Sequence, residues 1–167
     1  MNDAEWALSR ATPHARFDQP PPVSAPAAPP QAVDAEARQE LEGLLADDGN
    51  PVTVFALTWC EYCGALRKLL NQAGIPFRSV DLDTPAMQEE DHGGRLRRAL
   101  QARTGMPSIP QVFVGGEFVG GCSETISAYQ DGSLVSLLDR AGLSGMVLKA
   151  IDPSEILPRW RQPNRRA

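Results

Sequence analysis

The sequence has few cysteines, no excess of basic charge and no long apolar run, and each absence excludes a class of protein. Three cysteines in 167 residues are too few for a secreted disulfide scaffold, so we expect a reducing compartment, namely the cytoplasm. A net charge of −5 offers no basic surface, so no nucleic-acid partner is expected. No apolar run could span a bilayer and the first residues lack a secretory-signal pattern, so no membrane association is expected.

The two ends of the chain differ in composition from its centre. Residues 1–33 include the proline-rich stretch QPPPVSAPAAPPQ, which cannot bury enough apolar surface to fold, so we predict a disordered arm there. Residues 34–141 are predicted to form the folded domain. Residues 142–167 are a C-terminal extension that is too apolar for ordinary disorder. Either the extension folds back on the domain, or Trp160 and Ile156–Leu157 dock a partner enzyme.

Hydrophobic periodicity predicts an α/β domain with the element order α-β-α-β-α-β-β-α. This order favours a four-stranded mixed sheet with helices on both faces. Residues 83–94 are polar and are predicted to form a loop. The predicted strands are 52–57, 77–82, 111–114 and 117–119, and the predicted helices are 35–46, 60–73, 95–103, 123–130 and 133–141.

Cys60 and Cys63 are three residues apart where a predicted strand gives way to a helix. This spacing places the two sulfurs across one helical turn, within reach of a reversible disulfide. The sulfur at the helix start lies among unsatisfied N–H groups that favour a thiolate, so Cys60 is the expected nucleophile and Cys63 the resolving thiol. A zinc site is disfavoured because Cys122, His14 and His92 lack paired ligand spacing.

Two further motifs are each weak evidence for a binding site when taken alone. Ser108-Ile109-Pro110 precedes a predicted strand, where the proline could be cis or could simply begin the strand. Gly120–Ser123 opens a predicted helix, whose N–H groups could bind a carboxylate or merely form a tight turn.

Together, TWCEYC and TGMPSIPQVFVGGEFVGGCSE resemble a dithiol glutaredoxin over about residues 52–141. The resemblance implies a thioredoxin-like fold, a cis proline at Pro110, and glutathione as the co-substrate of a thiol–disulfide oxidoreductase. Such an enzyme reduces glutathione mixed disulfides and protein disulfides through the redox-active pair Cys60 and Cys63. The implied glutathione contacts are Tyr62, Arg97, Ile109, Pro110, Gly121, Cys122 and Ser123.

Two positions depart from the family pattern. Leu57 stands where the family usually has a lysine, which removes a charge that would stabilise the thiolate and bind the glycine carboxylate of glutathione. Arg97 could compensate, or could be an ordinary solvated charge. Glu61 stands where many members have proline, and its carboxylate disfavours a neighbouring thiolate.

The resemblance leaves two alternatives to glutathione-dependent reduction by a monomer. Some related redoxins are reduced by thioredoxin reductase, and Leu57 favours that reading. Other members bind a [2Fe–2S] cluster between two subunits, with Cys60 and a glutathione thiolate from each. The absence of proline at Glu61 favours the cluster, whereas its negative charge and the competing Cys60–Cys63 disulfide oppose it.

Overall fold

A computed structural model of the chain describes residues 33–161; residues 1–32, which contain nearly all of the predicted proline-rich arm, and residues 162–167 lie outside the described part. The described part contains six α-helices, four β-strands and three short 3₁₀ turns, the last two of which lie in the C-terminal extension. In chain order they are α1 (Ala35–Leu45), β1 (Val52–Ala56), α2 (Glu61–Ala73), β2 (Arg78–Asp81), α3 (Pro85–Gln88), the first 3₁₀ turn (Glu89–Asp91), α4 (His92–Thr104), β3 (Gln111–Val114), β4 (Glu117–Gly120), α5 (Cys122–Asp131), α6 (Ser133–Arg140) and the 3₁₀ turns Pro153–Glu155 and Arg159–Arg161. None of the described helices is long and apolar enough to cross a membrane.

The four strands form one mixed sheet in the order β2-β1-β3-β4. β1 and β2 pair in parallel through the crossover helix α2, with Val54 opposite Ser79. β1 and β3 are antiparallel, with Val54 opposite Val112, and β3 and β4 form an antiparallel hairpin. The predicted four-stranded mixed sheet is therefore confirmed.

The central strands explain why helices cover both faces of the sheet. Val52, Val54 and Ala56 of β1 pack into one core with α2, α5 and α6. Phe55 points to the opposite face, where it packs with α1 and α4 and meets Phe113 edge-on at 5.7 Å between ring centroids. Side chains of a strand alternate between the faces, so a strand buried on both faces is largely apolar, and Thr53 is the one polar residue of β1.

The prediction of a loop over residues 83–94 is wrong. Thr84 caps a short helix, α3, whose first residue is Pro85, and α4 begins at His92 rather than at residue 95. A threonine cap followed by proline is a helix-start signal that polarity alone hides. Gly93, which resembles a loop residue, allows close packing instead: a Cβ there would lie 2.0 Å from the carbonyl oxygen of Leu82.

Residues 146–161, here called the C-terminal strap, pack against the domain. Ile156 is 3% exposed and belongs to the same core as α2. Four partly buried side chains of the strap pack around that core, namely Met146, Leu148, Ile151 and Leu157. This arrangement agrees with the fold-back alternative for the extension.

Candidate redox site

Cys60 lies between β1 and α2, as the N-cap residue of the helix. Its side chain is partly exposed, and its Sγ accepts the backbone N–H of Cys63 at 3.3 Å. The first N–H groups of a helix have no partner within the helix, and together with the macrodipole they favour an anion. The structure thus places Cys60 Sγ at the start of α2 with one backbone N–H donor, at the position where the sequence predicts the nucleophile.

The other two cysteines are buried and protected. Burial, followed by the hydrogen bond and charge of neighbouring Cys60, raises the pKa of the Cys63 thiol to about 12. Burial, followed by the charges of Cys60 and Glu124, raises the pKa of Cys122 to about 11. Both thiols are thus neutral near pH 7, and Cys60 is the accessible member of the three.

The turn before Cys60 is held by a contact that sequence reasoning missed. Asp83, just after β2, accepts the Thr58 backbone N–H at 2.9 Å and the Thr58 hydroxyl at 2.7 Å. The Thr58 side-chain hydrogen bond is the main cause that lowers the pKa of the Asp83 carboxyl. The two residues are 25 positions apart, so no local pattern reveals the pair.

The Ile109–Pro110 peptide bond is cis. Pro110 is buried directly before β3, and Ile109 is partly exposed. Within residues 33–161, neither the N–H nor the C=O of Ile109 has a hydrogen-bond partner. Such a backbone segment can pair with an incoming peptide as an added strand would.

The glycine pair Gly120–Gly121, at the end of β4, brings the start of α5 close to this backbone, since a Cβ at Gly121 would lie 3.3 Å from the Pro110 carbonyl oxygen. Gly120 has φ of +130°, and a Cβ there would lie 2.5 Å from the Cβ of Glu124, so only glycine fits. Glu124 accepts the N–H of Gly121 at 2.9 Å. Within the described part of the chain, the next two N–H groups, of Cys122 and Ser123, have no partner and can receive an anion.

Arg97 lies on α4, is exposed, and lines an open groove that also includes residues of the turn before Cys60. Leu57 and Trp59, from the turn that leads to Cys60, line the same groove, and Asp83 and Asp91 add acidic groups. Asp91 is already paired with Arg98 at 3.0 Å, whereas Arg97 forms no ion pair with any described residue. The arrangement leaves the Arg97 guanidinium available to a carboxylate.

The two residues between the cysteines contact the C-terminal strap. Tyr62 is partly buried, and its ring meets that of Trp160 edge-on, with 5.8 Å between centroids. The indole Nε1–H of Trp160 donates to Glu61 Oε2 at 2.7 Å. The sequence drew attention to Trp160 as an exposed aromatic residue, but gave no sign of this contact across 99 positions.

The site can be compared with known proteins. A family model described as Glutaredoxin matches residues 52–119. A glutaredoxin from Vernicia fordii is 42% identical over 93 residues, which are 56% of this chain and 85% of the relative. Glutaredoxin-C2 from Arabidopsis thaliana is also 42% identical, over 57% of this chain and 81% of the relative.

This chain belongs to the glutaredoxin family. A solved structure of a buckwheat glutaredoxin–glutathione complex superposes with a TM-score of 0.58 at 33% identity, covering 65% of this chain and 92% of that one. The glutaredoxin fold confirms the thioredoxin-like prediction. Among the described residues, no three His, Cys, Asp or Glu side chains are grouped as a metal ion would need.

Proposed function

We propose that this glutaredoxin catalyses glutathione-dependent thiol–disulfide exchange, with Cys60 as nucleophile and Cys63 as resolving thiol. One observation supports the assignment above the others. Cys60 is the partly exposed cysteine, and its sulfur accepts a helix N-terminal N–H at 3.3 Å, while both other thiols are buried. Exchange chemistry needs an accessible thiolate, and this is where one is stabilised.

In the monothiol route, the Cys60 thiolate attacks the glutathione sulfur of a mixed disulfide between glutathione and a protein. A Cys60–glutathione disulfide forms, the original S–S bond breaks, and the target protein leaves as a thiolate that takes up a proton. The thiolate of a second glutathione attacks the bound glutathione sulfur, which releases glutathione disulfide and restores Cys60. Two electrons thus pass from two glutathione molecules to the target.

In the dithiol route, the Cys60 thiolate attacks one sulfur of a protein disulfide, which breaks that S–S bond, releases the first protein thiol and leaves Cys60 in a mixed disulfide with the protein. Cys63 then loses a proton and attacks the Cys60 sulfur, which frees the second protein thiol and forms the Cys60–Cys63 bond. Of the causes that raise the pKa of Cys63, burial stays, but the charge and hydrogen bond of Cys60 vanish once Cys60 is in a disulfide. Cys63 is therefore activated by the step that creates its substrate.

The glutathione would lie across three surfaces that surround Cys60. The open backbone of Ile109, next to Pro110, suits the cysteinyl moiety. The N–H groups of Cys122 and Ser123 suit the γ-glutamyl carboxylate, and Gly121 lets the chain pass close to the Pro110 carbonyl. Arg97, across the groove, suits the glycine carboxylate, and Tyr62 would flank the sulfur.

Turnover of a glutathionylated peptide, with glutathione, NADPH and glutathione reductase, tests the proposal. We expect Cys60→Ser to abolish turnover, and Cys63→Ser to keep deglutathionylation while losing reduction of an intramolecular protein disulfide. Retained turnover in Cys60→Ser would refute the assignment. Replacing glutathione and its reductase by thioredoxin reductase tests the alternative donor, and efficient reduction by that enzyme alone would overturn our choice.

The cluster-binding alternative requires Cys60 to reach a second subunit and a second glutathione. The exposure of Cys60 permits this, but nothing else in the described part of the chain favours it over exchange. We therefore retain a monomeric cytoplasmic reductase as the proposed form, with disulfide-containing or glutathionylated proteins as its partners.

A further inference from the structure

The C-terminal strap runs antiparallel along α2, the helix that Cys60 caps. The Lys149 N–H donates to the carbonyl of Ala73, in the last turn of α2, at 3.3 Å. Further along the strap, the carbonyl of Glu155 accepts Lys68 Nζ at 3.2 Å, in the middle of the helix. The strap therefore reaches the first turn of α2, where Cys60 lies, with residues 158–161.

The path of the strap is fixed by more than these two contacts. The Tyr129 hydroxyl, on α5, donates to the Lys149 carbonyl at 2.7 Å and accepts the Ile151 N–H at 2.8 Å. Ile156 then fills the core beneath the strap at 3% exposure. These anchors determine where Trp160 comes to lie.

Trp160 is 64% exposed, so burial does not explain its position. It makes three directed contacts instead: its Nε1–H donates to Glu61 Oε2 at 2.7 Å, its ring forms a T-shaped pair with Tyr62, and the Arg161 guanidinium lies over its ring, 5.7 Å from the centroid. Glu61 and Tyr62 are the two residues between Cys60 and Cys63. A single side chain from the strap thus contacts both residues between the two cysteines.

The contact with Glu61 bears on the charge of Cys60. Glu61 is the first residue of α2 and follows Cys60 directly, so its carboxylate repels a thiolate and competes for the same positive helix end. A hydrogen bond to the indole holds one carboxylate oxygen toward the strap and draws on its charge. A carboxylate that shares its charge with a hydrogen-bond donor repels a neighbouring thiolate less than a carboxylate without one.

We propose that Trp160 is a positioning residue for the redox motif: it restrains Glu61 and so maintains the nucleophilicity of Cys60. The proposal deepens the proposed function, on which its biological meaning rests. It makes the strap a part of the active site and explains how the chain tolerates an acidic residue directly after its nucleophile.

The test is the rate at which iodoacetamide alkylates Cys60, measured from pH 4 to 9 in a Cys63→Ser, Cys122→Ser background. Trp160→Phe keeps an aromatic ring but removes the N–H donor. We expect its alkylation rate at low pH to fall about twofold and the profile to move to higher pH, since a unit charge a few ångströms nearer in water has about this effect. Val147→Ala, in the strap but 92% exposed, is the control and should leave the profile unchanged.

A double-mutant cycle with Glu61→Gln separates charge from packing. If Trp160 acts through the Glu61 carboxylate, Trp160→Phe will have no effect in the Glu61→Gln background. An unchanged profile for Trp160→Phe, or an equal fall in both backgrounds, would overturn the proposal. Alkylation requires no glutathione. If Trp160→Phe slows alkylation as expected but the protein shows no glutathione turnover, the proposed function is rejected and this inference stands.

Discussion

Replacing Ile156 by alanine tests whether the C-terminal strap is a structural part of the domain. Ile156 lies between the two 3₁₀ turns of the strap, outside any α-helix or strand. It is nevertheless only 3% exposed and packs into the core that contains Cys63. Four other apolar side chains of the strap are only partly buried. Ile156 is therefore the residue on which the attachment of the strap depends most.

The expected cost follows from the loss of three buried carbon atoms and from the cavity that remains. Isoleucine-to-alanine changes at fully buried sites destabilise proteins by about 2–5 kcal/mol. Because a strap can detach locally instead of leaving a cavity, the cost is limited by the free energy of detachment, so we expect about 2–3 kcal/mol. A typical domain has a total stability of only about 5–15 kcal/mol, so the change is easily measured.

Urea unfolding of the reduced protein, followed by far-ultraviolet circular dichroism, measures this cost. Val147→Ala, in the same strap but 92% exposed, is the matched control and should stay within about 0.5 kcal/mol of the parent. Hydrogen exchange gives an independent measure, since the Ile151 N–H donates to Tyr129 Oη and should be protected. If Ile156→Ala behaves like Val147→Ala and the Ile151 amide exchanges freely, the strap is not packed in solution.

Two further predictions concern the thiols and a turn. A brief iodoacetamide pulse at pH 7.5, read by mass spectrometry, should label Cys60 but neither Cys63 nor Cys122, whose pKa values burial raises to about 12 and about 11. Fast labelling of Cys63 would contradict the site geometry. Because the pKa values of the two buried thiols are raised in the folded state, the unfolded protein loses these protons first, and the reduced protein should lose stability as pH rises above about 9. Gly120→Ala should cost about 2 kcal/mol or more in urea unfolding, because φ is +130° and the new Cβ meets Glu124 at 2.5 Å. Gly43→Ala, in open space on α1, should be neutral or stabilising, and equal effects at both glycines would refute the strain argument.

Much of the fold could be predicted because its signals are local. The strands β1 and β3 are short and mostly apolar, as expected for strands buried on both faces, and the two-glycine turn identifies the β3–β4 hairpin. Gly74 ends α2 in the left-handed conformation, as a C-terminal glycine should. The loop prediction for residues 83–94 was wrong because it rested on their polarity and overlooked Thr84 as a helix cap.

The candidate site likewise has local features that the sequence predicts and long-range contacts that it does not. The position of Cys60 as the N-cap of α2, in contact with Cys63, could be predicted because the two residues are three apart and one helical turn brings them together. The Thr58–Asp83 and Glu61–Trp160 hydrogen bonds join residues 25 and 99 positions apart, where no periodic pattern applies. Such pairs depend on how the sheet and the strap are placed, which is a property of the whole fold.

Leu57 combines a side chain noted from the sequence with backbone contacts that only the fold shows. A lysine at this position would add positive charge next to the nucleophile, but Leu57 is 8% exposed and packs in the core formed with α1 and α4. Its backbone still serves the site, because its N–H donates to Cys63 Sγ at 3.5 Å and its C=O accepts the Cys60 N–H at 3.4 Å. These two backbone contacts hold the turn on which Cys60 lies, and every side chain except proline leaves the N–H of position 57 in place. Arg97 is the one basic side chain among the described residues that line the groove, which is why the proposed function gives it the glycine carboxylate of glutathione in place of a lysine at position 57.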